Sequence, residues 1–98
     1  MGQEKEEKPV VFDIASLDTY VLLELFINVL SAQAWQHMGL RVRTGTDKIE
    51  KDFERARVAI DCIAFLIDKL ETHIQESEKN RLRSLLADLQ INFAGLKT

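Results

Sequence analysis

Two histidines, one cysteine and a scatter of carboxylates and cations are the side chains whose types suit catalysis or ligation, so their spacing decides what chemistry is open to this chain. Metal ligation on helices needs side chains that converge, and it announces itself by spacings such as i to i+4. His37 and His73 have no second His, no Cys and no Glu-x-x-His companion at such a distance. They are expected to be ordinary helix-end histidines, with no metal bound. A nucleophilic thiolate sits in exposed, electropositive surroundings with a base at hand. Cys62 lies between Asp61 and Ile63, so a packed core thiol is expected. Its place on a second apolar side of its helix would also let it approach a symmetry mate in a dimer. No Gly-rich phosphate loop stands out, and no Ser, His and acid set. The expectation is a protein that is not an enzyme and needs no cofactor.

The remaining polar constellations are weak. Glu24 and Asn28, one helical turn apart, suit either a buried polar register element in an oligomer or a solvent-facing stripe, and the stripe is the simpler reading. Arg57 and Asp61 form a surface i to i+4 pair worth a few tenths of a kcal/mol, ~0.3. Trp35, with His37 and Arg41 near it in sequence, is a candidate partner contact, because Trp and Arg are enriched where binding energy concentrates. A Trp that caps the core is the commoner case. Arg41, Arg43, Lys48, Lys51 and Arg55 form a basic concentration, but Asp47, Glu50, Asp52 and Glu54 are interleaved with it. Nucleic-acid binding through the Arg41 to Arg55 region is therefore the lesser alternative.

These residues are positioned by helices. Ser16 is placed to cap a first helix over 16–38, with Ala15 and Tyr20 as a hydrophobic staple, and Gly39 followed by Leu40 suits a Schellman ending. Asp47 and Glu50 resemble a capping box that opens a second helix over 47–74. Its seam, Ile49, Phe53, Ala56, Ile60, Ile63, Ile67, Leu70 and Ile74, alternates spacings of four and three. Ser77 is placed to cap a third helix over 78–94, apolar at Leu82, Leu85, Leu86, Leu89 and Phe93, before Gly95 and Leu96 repeat the glycine stop. The short link between the second and third helices predicts an antiparallel hairpin. The expected fold is an all-α three-helix bundle, preceded by a flexible charged segment over 1–15, with one helical domain over 16–98. Whether Val10, Val11 and Phe12 pack on the body is left open.

The middle of the first helix is apolar nearly all round, with Glu24, Asn28 and Ser31 in one narrow polar stripe. On the second helix Val58, Cys62 and Phe65 lie opposite the main seam. One three-helix core cannot cover both, and contiguous apolar patches of that kind mark interfaces. Self-association follows as the expectation, a two-fold dimer being the commonest form; the alternatives are a different protein partner and a compact monomer in which the Val10 to Phe12 segment and long side chains cover the excess. The candidate interface is Leu22, Phe26, Val29, Val58, Cys62 and Phe65.

The formal charge of −3 gives no general attraction to nucleic acid or anionic lipid. The single cysteine and the lack of a secretory signal fit a cytoplasmic protein. The run from Tyr20 to Leu30 falls short of the roughly 18 to 20 residues that span a bilayer, and the first six residues lack the Ser or Thr favoured for myristoylation.

The stretch Ser16, Leu17, Asp18, Thr19, Tyr20, Val21, Leu22 through Ala32, Ala34, Met38, Gly39 and Leu40, followed by Ala56, Ile60, Leu66, Leu70, Leu82, Leu85, Leu86 and Leu89, resembles a family of short bacterial proteins described as domain of unknown function 1844. The likeness rests on apolar spacing and the helix-ending glycine, with no reactive motif. It implies a small bacterial helical protein and supplies no site residues to carry over. The link between the first two helices departs from the family's often acidic, proline-containing pattern, because here it carries Arg41 and Arg43 and no Pro. The biochemical function is thus unknown from sequence. The reading that fits best is a non-enzymatic helical oligomerisation or protein-interaction module.

Overall fold

A computed structural model of the protein describes residues 13–42, 45 and 47–97. The expectations for the segment through residue 12, including Val10, Val11 and Phe12, and for Arg43 lie outside these residues. Within them the chain forms three α-helices and no strand: α1 Thr19–His37, α2 Phe53–Leu70 and α3 Glu76–Lys97. Short 3₁₀ turns at Ile14–Ser16 and Glu71–His73 precede α1 and follow α2.

Both of the first two helices begin later than their sequence suggests. Ser16 does not cap α1, because its hydroxyl donates to the Asp13 carbonyl at 3.0 Å inside the 3₁₀ turn. Asp18 takes the role, its carboxylate accepting from the Tyr20 N–H at 2.9 Å. Tyr20 is thereby freed to stack on His73, ring centroids 4.3 Å apart. The Asp47 and Glu50 box is likewise unused, and Ile49 stands exposed before the helix. Asp52 caps α2 instead, accepting the Arg55 N–H at 3.0 Å and the Arg55 guanidinium at 2.6 Å. Its own backbone N–H donates to the His37 carbonyl at 2.7 Å, which ties the start of α2 to the end of α1. A cap held by three hydrogen bonds, one of them from another helix, outcompetes the box that begins five residues earlier.

The predicted Schellman ending of α1 is present. Leu40 N–H donates to the Trp35 carbonyl at 3.0 Å and Gly39 N–H to the Gln36 carbonyl at 2.9 Å, with Gly39 at φ 82°. Leu40 itself stays exposed, so the hydrophobic part of the motif is missing. Gly95 behaves differently from expectation. It lies inside α3, which runs from one residue before Ser77 to Lys97, and it has no positive φ, so nothing there stops the helix.

The core is a single cluster. Ile27, Ala34 and Met38 from α1 and its end meet Ala56, Ala59, Ile60, Ile63, Ile67 and Leu70 of α2, with Leu82 and Leu89 of α3. The small residues on α1 and α2 permit close approach of the two backbones. The α2 seam is the predicted one in its central positions. The polar stripe of α1 faces solvent only in part. Ser31 is buried and donates its hydroxyl to the Ile27 carbonyl at 2.8 Å, Glu24 turns to α3, and Asn28 stays exposed. A serine that satisfies itself against its own helix enters a core at little cost, and wheel arithmetic does not register this. The expected α2/α3 hairpin is present and antiparallel: Arg83 reaches Glu71 at the turn (Nε to Oε1 2.9 Å, Nη2 to Oε2 2.7 Å), and Phe53 meets Phe93 edge to face at 6.2 Å at the far end.

The two glycines make opposite predictions. A Cβ at Gly39 would lie 2.8 Å from Lys51 Cγ and impose a positive φ on alanine, so Gly39→Ala should lose about 1 kcal/mol or more in urea denaturation. A Cβ added at Gly95 would meet nothing within 4 Å, so Gly95→Ala should gain roughly 0.5–1 kcal/mol. Equal effects at the two sites would contradict this assignment.

Candidate functional site

Once α2 has buried its seam against α1 and α3, its opposite side has no cover among the described residues. The result is an apolar groove between α1 and α2 with a volume of about 570 Å³, lined by Phe26, Val29 and Leu30 from α1 and by Val58, Asp61, Cys62, Phe65 and Leu66 from α2. Five of the six residues expected at an interface therefore stand together. Leu22 does not line the groove and is half-buried. Leu30 and Leu66 were absent from that set, although each lies one turn beyond a member of it, at i+4 from Phe26 and from Cys62. The exposures are large for apolar side chains: Phe65 61%, Val29 51%, Val58 49% and Phe26 42%. Cys62 is exposed, not packed in the core, because it shares this uncovered side.

The groove has charged ends. Glu54 lines an adjoining hollow toward the start of α2, which shares Leu30, Val58 and Cys62 with the groove. Lys69 lies at the other end, its ammonium 5.2 Å from the centre of the Phe65 ring. Along the flank, Arg57 bridges Glu54 at 2.6 Å and Asp61 at 3.5 Å, the expected Arg57 to Asp61 pair among them. These are exposed pairs and contribute little to stability.

Trp35 is half-buried against the core, as a core-capping Trp would be. Arg41 lines a polar cleft of about 540 Å³ with His37, Lys51, Asp52 and Arg55 among others, and Trp35 is not part of that lining. Positive and negative groups are mixed there. Arg55 is already bound to Asp52, whose carboxyl is held below its usual range first by the Arg55 backbone N–H and then by the guanidinium. Among the described residues no group of three or more His, Cys, Asp or Glu is placed to hold a metal ion, and no helix is long and apolar enough to cross a membrane.

The titratable cluster with the largest perturbation ties α1 to α3. Arg81 donates to Glu24 at 2.9 Å and, through Nε, to Glu78 at 3.1 Å. Glu78 is pulled down to about 2, first by its hydrogen bond from Arg81 and then by one with Glu24. Glu24 is pushed up, first by that hydrogen bond with Glu78 and then by partial burial. Of the two carboxylates, Glu78 takes the stronger hydrogen bond from Arg81 and is the one favoured as the anion, while its negative charge and partial burial disfavour a second anion at Glu24. The cluster is a clamp. Because the folded value of Glu78 is depressed, its contribution is complete above the ordinary 4.5 and is lost as pH falls toward about 2. The raised value of Glu24 acts the other way, adding stability as pH falls through it. Urea denaturation across this range should show Glu78→Gln less stable than the parent at neutral pH, with a shallower loss between pH 4.5 and 2. Parallel curves for the two proteins would refute the clamp.

Comparison with curated proteins and with solved structures returned no match. A family model matches residues 20–95, from the first turn of α1 to the last turns of α3, and so takes in every residue of the groove. On that match the chain belongs to the family described as domain of unknown function (DUF1844).

Proposed function

We propose that the chain is a non-enzymatic helical oligomerisation and protein-interaction module, in which the groove between α1 and α2 is the docking surface and a second copy of the chain is its occupant. The observation that carries this reading is the exposure of Phe26, Val29, Val58 and Phe65 on one continuous apolar lining. Full burial of such a side chain is worth about 1.5–3 kcal/mol. Each of these four is roughly half-exposed, so covering them together recovers several kcal/mol, which is on the scale of a whole domain's stability. The polar cleft beside Arg41 gives nucleic-acid binding no comparable support, since its cations are interleaved with acids and partly committed to them. A bacterial cytoplasm is the setting that fits the family resemblance and a single exposed cysteine with no second cysteine in the sequence to pair with.

Sedimentation at tens of micromolar tests the reading. The protein, 11.2 kDa per chain, is expected to run as a dimer or larger. Phe65→Asp and Phe26→Asp should each give monomer or insoluble protein. A parent protein that sediments as a folded monomer, or a Phe65→Asp variant with unchanged assembly, overturns it.

A further inference from the structure

We infer that two copies pair through α2 in antiparallel fashion, about a two-fold axis that passes between Asp61 and Cys62. The inference rests on the reading of the groove as an oligomer interface and adds its symmetry and register. Its basis is the order of residues along the uncovered side of α2. At equal distances outward from the gap between Asp61 and Cys62 stand Val58 and Phe65, both apolar, and then Glu54 and Lys69, of opposite charge. These positions recur at helical spacing and share one face. Glu54 and Lys69 lie at the two ends of the groove. A two-fold axis at the midpoint lays each Phe65 on the partner copy's Val58 and brings each Glu54 toward the partner copy's Lys69. A parallel pairing would set Glu54 beside Glu54 and Lys69 beside Lys69, which like charges oppose.

The first helix shares this centre. The Asp52 N–H bond to the His37 carbonyl sets α1 and α2 in register. Equal steps from that bond bring Asn28 level with Asp61 and Ile27 level with Cys62. Phe26 and Val29 flank the same level at equal distances, so the exposed apolar side chains that line the groove from the two helices are centred on one level. An isologous interface needs such a self-complementary patch. A groove built for an unrelated partner has no reason to be symmetric about its middle in both apolar character and charge.

The test uses cysteine crosslinking in the full chain carrying Cys62→Ser. Two variants are made, Glu54→Cys and Lys69→Cys, and treated with a short bismaleimide separately and mixed. Antiparallel pairing predicts a crosslinked dimer in the mixture and little in either variant alone. Crosslinking of each variant alone, without the mixed product, overturns the arrangement, while dimers in sedimentation would leave the interface reading standing. A monomer in both assays defeats both. A charge cycle on the unmodified protein checks the register independently. Glu54→Lys should weaken the dimer roughly tenfold, and adding Lys69→Glu should restore it. A double variant as weak as the single one would show that Glu54 acts only through its own Arg57, and would overturn the proposed pairing.

Discussion

Helix α2 carries apolar side chains on two opposite sides, and a helix packed between two neighbours can bury only the side that faces them. Ile60, Ile63, Ile67 and Leu70 win that place because they form the longer, unbroken seam, and α1 and α3 both pack against it. Val58, Cys62 and Phe65 are left on the outside as a consequence of the same geometry. The groove is therefore the complement of the core: strengthening one fixes the other. With α1 also apolar on most of its circumference, the uncovered sides of the two helices fall next to each other and merge into one surface.

Polar contacts decide how these helices are set relative to one another. The Schellman ending at Gly39 and the Asp52 bond to His37 fix the height of α2 against α1. Arg83 with Glu71 fixes the turn into α3, and Arg81 between Glu24 and Glu78 joins α3 back to α1. Each is individually modest on an exposed surface. Together they select one register among the several that a nearly featureless apolar α1 would allow, and that register aligns Phe26 and Val29 with Val58 and Phe65.

The features that were legible in sequence are those set by long periodic patterns. The α2 seam, the α2/α3 hairpin, the glycine ending of α1 and five of the groove residues all follow from spacing that many residues share. What spacing concealed was local and competitive. Asp52 displaced Asp47 as a cap because it gained a bond from another helix, which no local box reveals. Ser31 entered the core by bonding its own helix, so the stripe read as outward-facing lay partly inward. Gly95 stayed helical because a glycine permits a stop without requiring one. Cys62 was expected in the core on the strength of its neighbours, although its angular position already placed it with Phe65 and Val58.

In the proposed dimer a second copy covers the exposed side of α2, and Cys62 sits at the middle of that contact as a natural reporter. The rate at which the Cys62 thiol reacts with a small disulfide reagent, followed against protein concentration, tests the claim most directly. Reaction is expected to be fast in dilute protein, where the thiol is exposed, and to slow progressively as concentration rises through the range in which mass doubles. A rate that stays fast and independent of concentration would contradict it.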